Sequence, residues 1–194
     1  MLLCFLGDSL VNGTRDPQCL GWAGRLCAPI IAAGLDLTCY NLGVRRDASA
    51  QVLARWRSEV ERRHIDGLQT RLVFSFGTGD MAMPGGAPRA TVDEAAENTR
   101  RLLEDARDYK VLFIGPPPVA DAAHTARNRE LSNRLGTVCA TCGVPYFDLM
   151  GHIGLSQGYI EDVKASDGIH PRAVGYGILA DCIGEWPAWR EWFA

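Results

Sequence analysis

Short apolar runs alternate along this chain with longer segments of helical period. Residues 2–6, 37–42, 72–76, 111–114 and 145–149 form five such runs. Each is too short for a buried helix and reads as a strand covered on both faces. Four stop at a glycine (Gly7, Gly43, Gly77, Gly115), and Asp148 lies inside the fifth. The clearest helix opens at Thr91, where Thr91 and Glu94 form a capping box. Val92, Ala95, Ala96, Thr99, Leu102, Leu103 and Ala106 follow at three- and four-residue spacing. Val52, Leu53, Trp56 and Val60 mark a second helix. Weaker helical patterns cover 22–33, interrupted by Pro29, then 122–142 and 173–186.

Strand and helix in alternation, with short connections, predict a parallel sheet wrapped by helices on both sides. The expected fold is α/β: a three-layer α/β/α sandwich on a flavodoxin-like five-stranded sheet of order 2-1-3-4-5. No repeat or low-complexity linker divides the chain, so residues 1–194 are expected to form one domain. Two loops depart from the pattern, 81–89 (MAMPGGAPR) and 116–121 (PPPVAD). Their proline and glycine suit either plain connection or the rim of a pocket.

Composition narrows the function. A net charge of −3 offers no basic footprint for nucleic acid. No apolar stretch nears the ~20 residues of a membrane span, and residues 1–6 are too short for a signal-peptide core. Seven cysteines, an odd number, mostly in apolar surroundings, suggest reduced thiols and a cytoplasmic protein. Cys139 and Cys142 form a CxxC late in a helix, without the partners of a zinc site. Neither metal nor organic cofactor is expected.

The first strand delivers Asp8 and Ser9 to the carboxyl edge of the sheet, where open α/β sheets hold their ligands. A hydroxyl nucleophile needs a base, and the base needs an orienting acid. Of the four histidines, His64 and His124 fall in helices and read as solvated, and His152 sits in an uninformative Gly-flanked loop. His170 occupies a polar turn, SDGIHP, with Asp167 three residues before it.

These blocks resemble the GDSL, or SGNH, hydrolase family across nearly the whole chain. GDSL at 7–10 is similar to its nucleophile block, NLG at 41–43 to its glycine block, FGTGD at 76–80 to its third block and DGIHP at 167–171 to its acid–base block. The resemblance implies an α/β/α esterase, lipase, thioesterase or carbohydrate esterase acting on a small ester, lipid ester, thioester or acetylated sugar. It implies Ser9 as nucleophile, His170 as base and acid, Asp167 as its orienter, and the N–H groups of Ser9 and Gly43 as oxyanion donors. Asp8 reads as a hydrogen-bonding residue of the turn. The third block departs from the pattern, because Gly79 stands where the family has an asparagine whose amide is a further donor. Such a loss costs about 100- to 1000-fold in turnover. Thr78 and Asn12 are the expected substitute donors, and Gly79→Asn is expected to fold and to raise turnover if the deficit is real. A catalytically weak or inactive member that binds an ester is the alternative, and a redox or interaction protein a more distant one. The C-terminal EWPAWREWFA carries Trp186, Trp189, Trp192 and Phe193 as a lid over the domain's own core or as the anchor of a homodimer.

Overall fold

The computed structural model describes residues 1–153 and 156–193. In chain order the elements are β1 (Leu2–Gly7), α1 (Ser9–Asn12), α2 (Gly21–Ala32), β2 (Thr38–Gly43), α3 (Ser49–Glu61), β3 (Thr70–Ser75) and α4 (Val92–Asp105). They continue with β4 (Lys110–Ile114), α5 (Ala122–Thr141), β5 (Tyr146–Phe147), α6 (Leu149–Ile153), α7 (Gln157–Lys164), α8 (Ala173–Gly184) and α9 (Pro187–Arg190). The five strands are parallel in the order β2-β1-β3-β4-β5. This is the expected α/β/α sandwich.

Alternation along the central strands builds two cores. Leu3 and Phe5 of β1, Val73 of β3 and Leu112 and Ile114 of β4 face one layer, with Trp22, Tyr159, Tyr176 and Trp189. Cys4, Leu6, Leu72, Phe74, Val111 and Phe113 face the other, with Trp56, Leu102, Leu131 and Leu135. Both faces are covered, so these strands carry consecutive apolar residues rather than apolar and polar in alternation.

Helix α2 runs through Pro29 without a break. The proline removes one backbone donor and lies on the solvent side. Strand β5 is two residues long. Pro145 has no N–H to give, and Asp148 turns the chain by accepting from the Met150 N–H at 3.0 Å. Trp189 is buried in the first core, 6.1 Å from the Phe5 ring and 4.9 Å from that of Phe193. The aromatic C-terminus is thus the intramolecular lid of the two expectations. Among the described residues no helix is long and apolar enough to cross a membrane.

Candidate active site

Residue Asp8 follows the last position of β1 and caps α1, accepting from the Leu10 N–H at 2.8 Å. Gly13, at φ 83°, ends that helix after one turn. The tight strand–cap–helix turn holds Ser9 at the carboxyl edge of the sheet. Gly43 closes beside it, where a Cβ would run into the Asn12 backbone.

His170 and Ser9 are brought together across 161 residues. The Ser9 Oγ stands 2.7 Å from His170 Nε2, and His170 Nδ1 stands 2.8 Å from Asp167 Oδ2. The other carboxylate oxygen of Asp167 accepts from the N–H groups of Ile169 and His170, at 3.1 and 2.9 Å. Those two bonds fix the carboxylate, and the carboxylate fixes the ring. Arg15 Nε adds a contact to Oδ2 at 3.3 Å. Desolvation works against the Asp167 anion, but the His170 and Ile169 bonds outweigh it and hold its pKa well below the usual range. A carboxylate that stays ionised selects the imidazole tautomer with its proton on Nδ1. Nε2 is then left as an acceptor facing the Ser9 hydroxyl.

These residues line a cavity of about 790 Å³. A comparable cleft of about 750 Å³ between α2 and α8 contains none of them. Thr78, Gly79 and His124 belong to the wall of the site cavity, as do Met83, Pro84 and Arg89 from loop 81–89. Loop 116–121 stays outside the lining and has another task. Its Ala120 N–H donates to the Gly168 carbonyl at 2.9 Å, bracing the turn that carries His170.

The expected oxyanion donors are placed unevenly. Ser9 is the first residue of α1, where the backbone N–H has no intrahelical partner. The Gly43 N–H donates to Asn41 Oδ1 at 3.0 Å. Asn12 donates its amide to the Gly43 carbonyl at 3.3 Å and is not part of the cavity wall. Thr78 Oγ1 is buried with no hydrogen-bond partner among the described residues. At Gly79 a Cβ would be driven into the Asp47 carbonyl oxygen. The expectation that Gly79→Asn would fold in place is therefore corrected, because backbone already occupies the space an asparagine side chain would leave through.

His124 corrects a second expectation. It is buried, not solvated, and its Nε2 donates to the Thr78 carbonyl at 3.0 Å. Burial lowers its pKa, keeping the ring neutral. Arg127 Nε donates to the Met81 carbonyl at 3.0 Å, so α5 fastens the third block at Thr78 and the start of the loop that follows it at Met81. The sequence did carry a signal: His124, Asn128, Leu131, Leu135 and Cys139 recur at helical spacing on the buried face of α5. Asp80, also buried, accepts from the Ser49 N–H at 3.0 Å and its hydroxyl at 2.5 Å, tying the third block to α3.

Burial pushes the Asp8 carboxyl up to about 7, with the neighbouring charges of Asp80 and Asp47 adding to the shift. The folded chain then retains a proton that the unfolded chain has released, between about pH 4 and pH 7. Stability accordingly falls as pH rises through that window and levels off above it, by ~4 kcal/mol in all. Asn at this position is an equally good helix cap without the charge. Asp8→Asn is expected to gain stability over wild type at pH 8 but not at pH 4, measured by urea unfolding at both. Parallel pH profiles would assign the titration to another group.

The GDSL-like lipase/acylhydrolase family model matches residues 5–178. The chain belongs to that family. It is accordingly a carboxylic ester hydrolase. A lipase/acylhydrolase from Enterococcus faecalis is similar at 25% identity and TM-score 0.80, over 97% of this chain and 96% of the other. TesA is similar in fold at 22% identity and TM-score 0.77, covering 98% and 99%. So is a catalytic mutant of the acetylxylan esterase Axe2 from Geobacillus stearothermophilus, at 14% identity and TM-score 0.75, covering 96% and 95%. No protein with curated annotation matches the chain in sequence.

Proposed function

We propose that this hydrolase cleaves a small ester through an acyl-enzyme on Ser9, with His170 as base and acid and Asp167 as its orienter. The observation that carries the reading is the continuous relay from Ser9 Oγ to His170 Nε2 and from Nδ1 to Asp167, at 2.7 and 2.8 Å. Ser9 attacks the carbonyl carbon while Nε2 takes the hydroxyl proton. The imidazolium, stabilised by the Asp167 carboxylate, then returns that proton to the leaving alcohol. Water repeats the sequence on the acyl-enzyme and frees the acid.

The oxyanion forms on the side of the Ser9 N–H. The Gly43 N–H joins it by exchanging the Asn41 side chain for the substrate oxygen, and the Thr78 hydroxyl, which has no partner among the described residues, is the side-chain donor next to the missing amide in sequence. A donor that must first be released is worth less than a preorganised one. This favours a slow enzyme as the second reading, within the same chemistry. A redox role for the CxxC has less support: Cys139 is fully buried and its thiol is pushed up by burial, the reverse of a reactive thiol. A cytoplasmic setting belongs to the same reading, with all seven cysteines present as free thiols.

A fluorophosphonate probe tests the reading. Stoichiometric modification of the peptide containing Ser9, read by mass spectrometry, is the expected result. A folded protein that stays unmodified, or is modified elsewhere, would overturn it. A chain-length series of 4-nitrophenyl esters, run beside acetylated sugars and a thioester, then separates the substrate classes.

A further inference from the structure

Three arginines line the cavity that holds Ser9 and His170. Arg45 and Arg46 come from the loop that follows Gly43, and Arg89 ends the loop after β3. None of the three makes an ion pair among the described residues. Other arginines of the chain do pair: Arg15 with Asp167, Arg25 with Asp16 and Arg55 with Asp47. The acids of the cavity are committed as well. Asp167 is held by His170, and Asp8 is buried against the Leu10 N–H. A protein of net charge −3 thus lines its own site with three arginines that have no ion-pair partner among the described residues, the nearest charge acting on Arg89 being that of the buried Asp80.

The arrangement is held, not incidental. Arg46 has φ 74°, a left-handed conformation that non-glycine residues rarely adopt. Its carbonyl accepts from Arg89 Nη1 at 2.5 Å, so the two loops are tied to each other across the cavity mouth. Guanidinium groups bind carboxylate and phosphate through paired, charge-assisted hydrogen bonds. In a cleft with low-dielectric walls the same charges also concentrate anions near the nucleophile.

We propose that the ester cleaved here carries an anionic group, a carboxylate or a phosphate, seated by Arg45, Arg46 and Arg89. The proposal rests on the hydrolase reading above and adds the substrate's charge. The apolar part of the same substrate lies against Met83, Pro84 and Ile169, which complete the wall.

Two matched ester pairs test it. Mono-4-nitrophenyl adipate against 4-nitrophenyl hexanoate puts the charge on the acyl side. 4-Acetoxybenzoate against 4-acetoxybenzamide puts it on the alcohol side. In at least one pair, kcat/KM for the anionic member is expected to exceed that for the neutral one by about 10-fold or more, the scale of a hydrogen bond to a charged group. The advantage should reside in KM and shrink as ionic strength rises. In the double variant Arg45→Gln, Arg46→Gln the anionic-to-neutral ratio should fall toward one. Glutamine at 46 meets the same backbone strain as arginine, so the loop is not asked to adopt anything new.

Equal kcat/KM within both pairs for the wild type would overturn the proposal and leave the hydrolase intact. So would a ratio unchanged in the double variant, or equal losses on neutral and anionic esters, which would place the arginines at the reacting carbonyl instead. No turnover of any ester, together with no fluorophosphonate labelling, would instead overturn the Ser9 reading on which this one stands.

Discussion

Ser9→Ala is expected to remove ester hydrolysis by about 1000-fold or more in kcat/KM while the protein stays folded. The two halves of that expectation have separate causes. Among the described residues the Ser9 side chain makes one hydrogen bond, to His170 Nε2 at 2.7 Å, and belongs to neither apolar core. Removing its oxygen leaves no buried cavity, and alanine is the better helix former at the first position of α1. The stability change should therefore lie within about 1 kcal/mol, as for substitutions outside a packed core. Catalysis has no such alternative. Without Oγ the His170 ring can only activate water, and the acyl-enzyme cannot form. Steady-state kinetics on a 4-nitrophenyl ester, beside a thermal unfolding curve, reads both halves. Activity above a few per cent in a folded variant would move the nucleophile elsewhere.

Much of this site was legible before any coordinates, for a physical reason. A parallel sheet buries both faces of its central strands, so β1, β3 and β4 announce themselves by consecutive apolar residues, 2–6, 72–74 and 111–114. The residues just beyond such runs must lie at the carboxyl edge, which puts Ser9 and Gly43 on that edge from spacing, while their pairing as donors followed from the resemblance. The turn bearing Asp167 and His170 precedes α8, and its return to that edge followed from the resemblance rather than from periodicity.

What was not legible depends on contacts between segments distant in sequence. Gly79 reads as a missing amide, yet its lack of a side chain is required by the Asp47 carbonyl, 32 residues earlier in the chain. Asn41 reads as part of a glycine motif, yet its side chain takes up the very N–H that the motif would offer. His124 reads as solvated because helix α5 is polar on average. Its burial follows from which face of α5 meets the sheet, and the stripe through Leu131, Leu135 and Cys139 encodes that face weakly. The arginines at 45, 46 and 89 lie in loops, where no periodicity reports direction.

Asp167→Asn is expected to lower kcat by about 10⁴-fold with little change in KM, and the bonding around the carboxylate says why. Asp167 Oδ1 accepts two backbone N–H groups, from Ile169 and His170, whereas Oδ2 faces His170 Nδ1 and Arg15. An asparagine keeps its carbonyl oxygen where two donors require an acceptor, so its NH₂ turns toward Nδ1. A donor there forces Nδ1 to accept, and the ring proton moves to Nε2. Nε2–H then points at Ser9 Oγ and cannot take its proton. The ring stays in position, and substrate binding, which does not involve Nδ1, is preserved. The split between kcat and KM therefore separates a tautomer fault from a displaced histidine, which would raise both losses together. Acid unfolding supplies an independent readout. The wild-type carboxylate has its pKa depressed by folding, so its contribution to stability is present above about pH 4 and fades as pH falls below it. The asparagine variant lacks that contribution at neutral pH and should show a correspondingly shallower loss of stability on acidification. A variant with unchanged kcat would mean that Asp167 merely shapes the turn, and the orienting role would pass to another group.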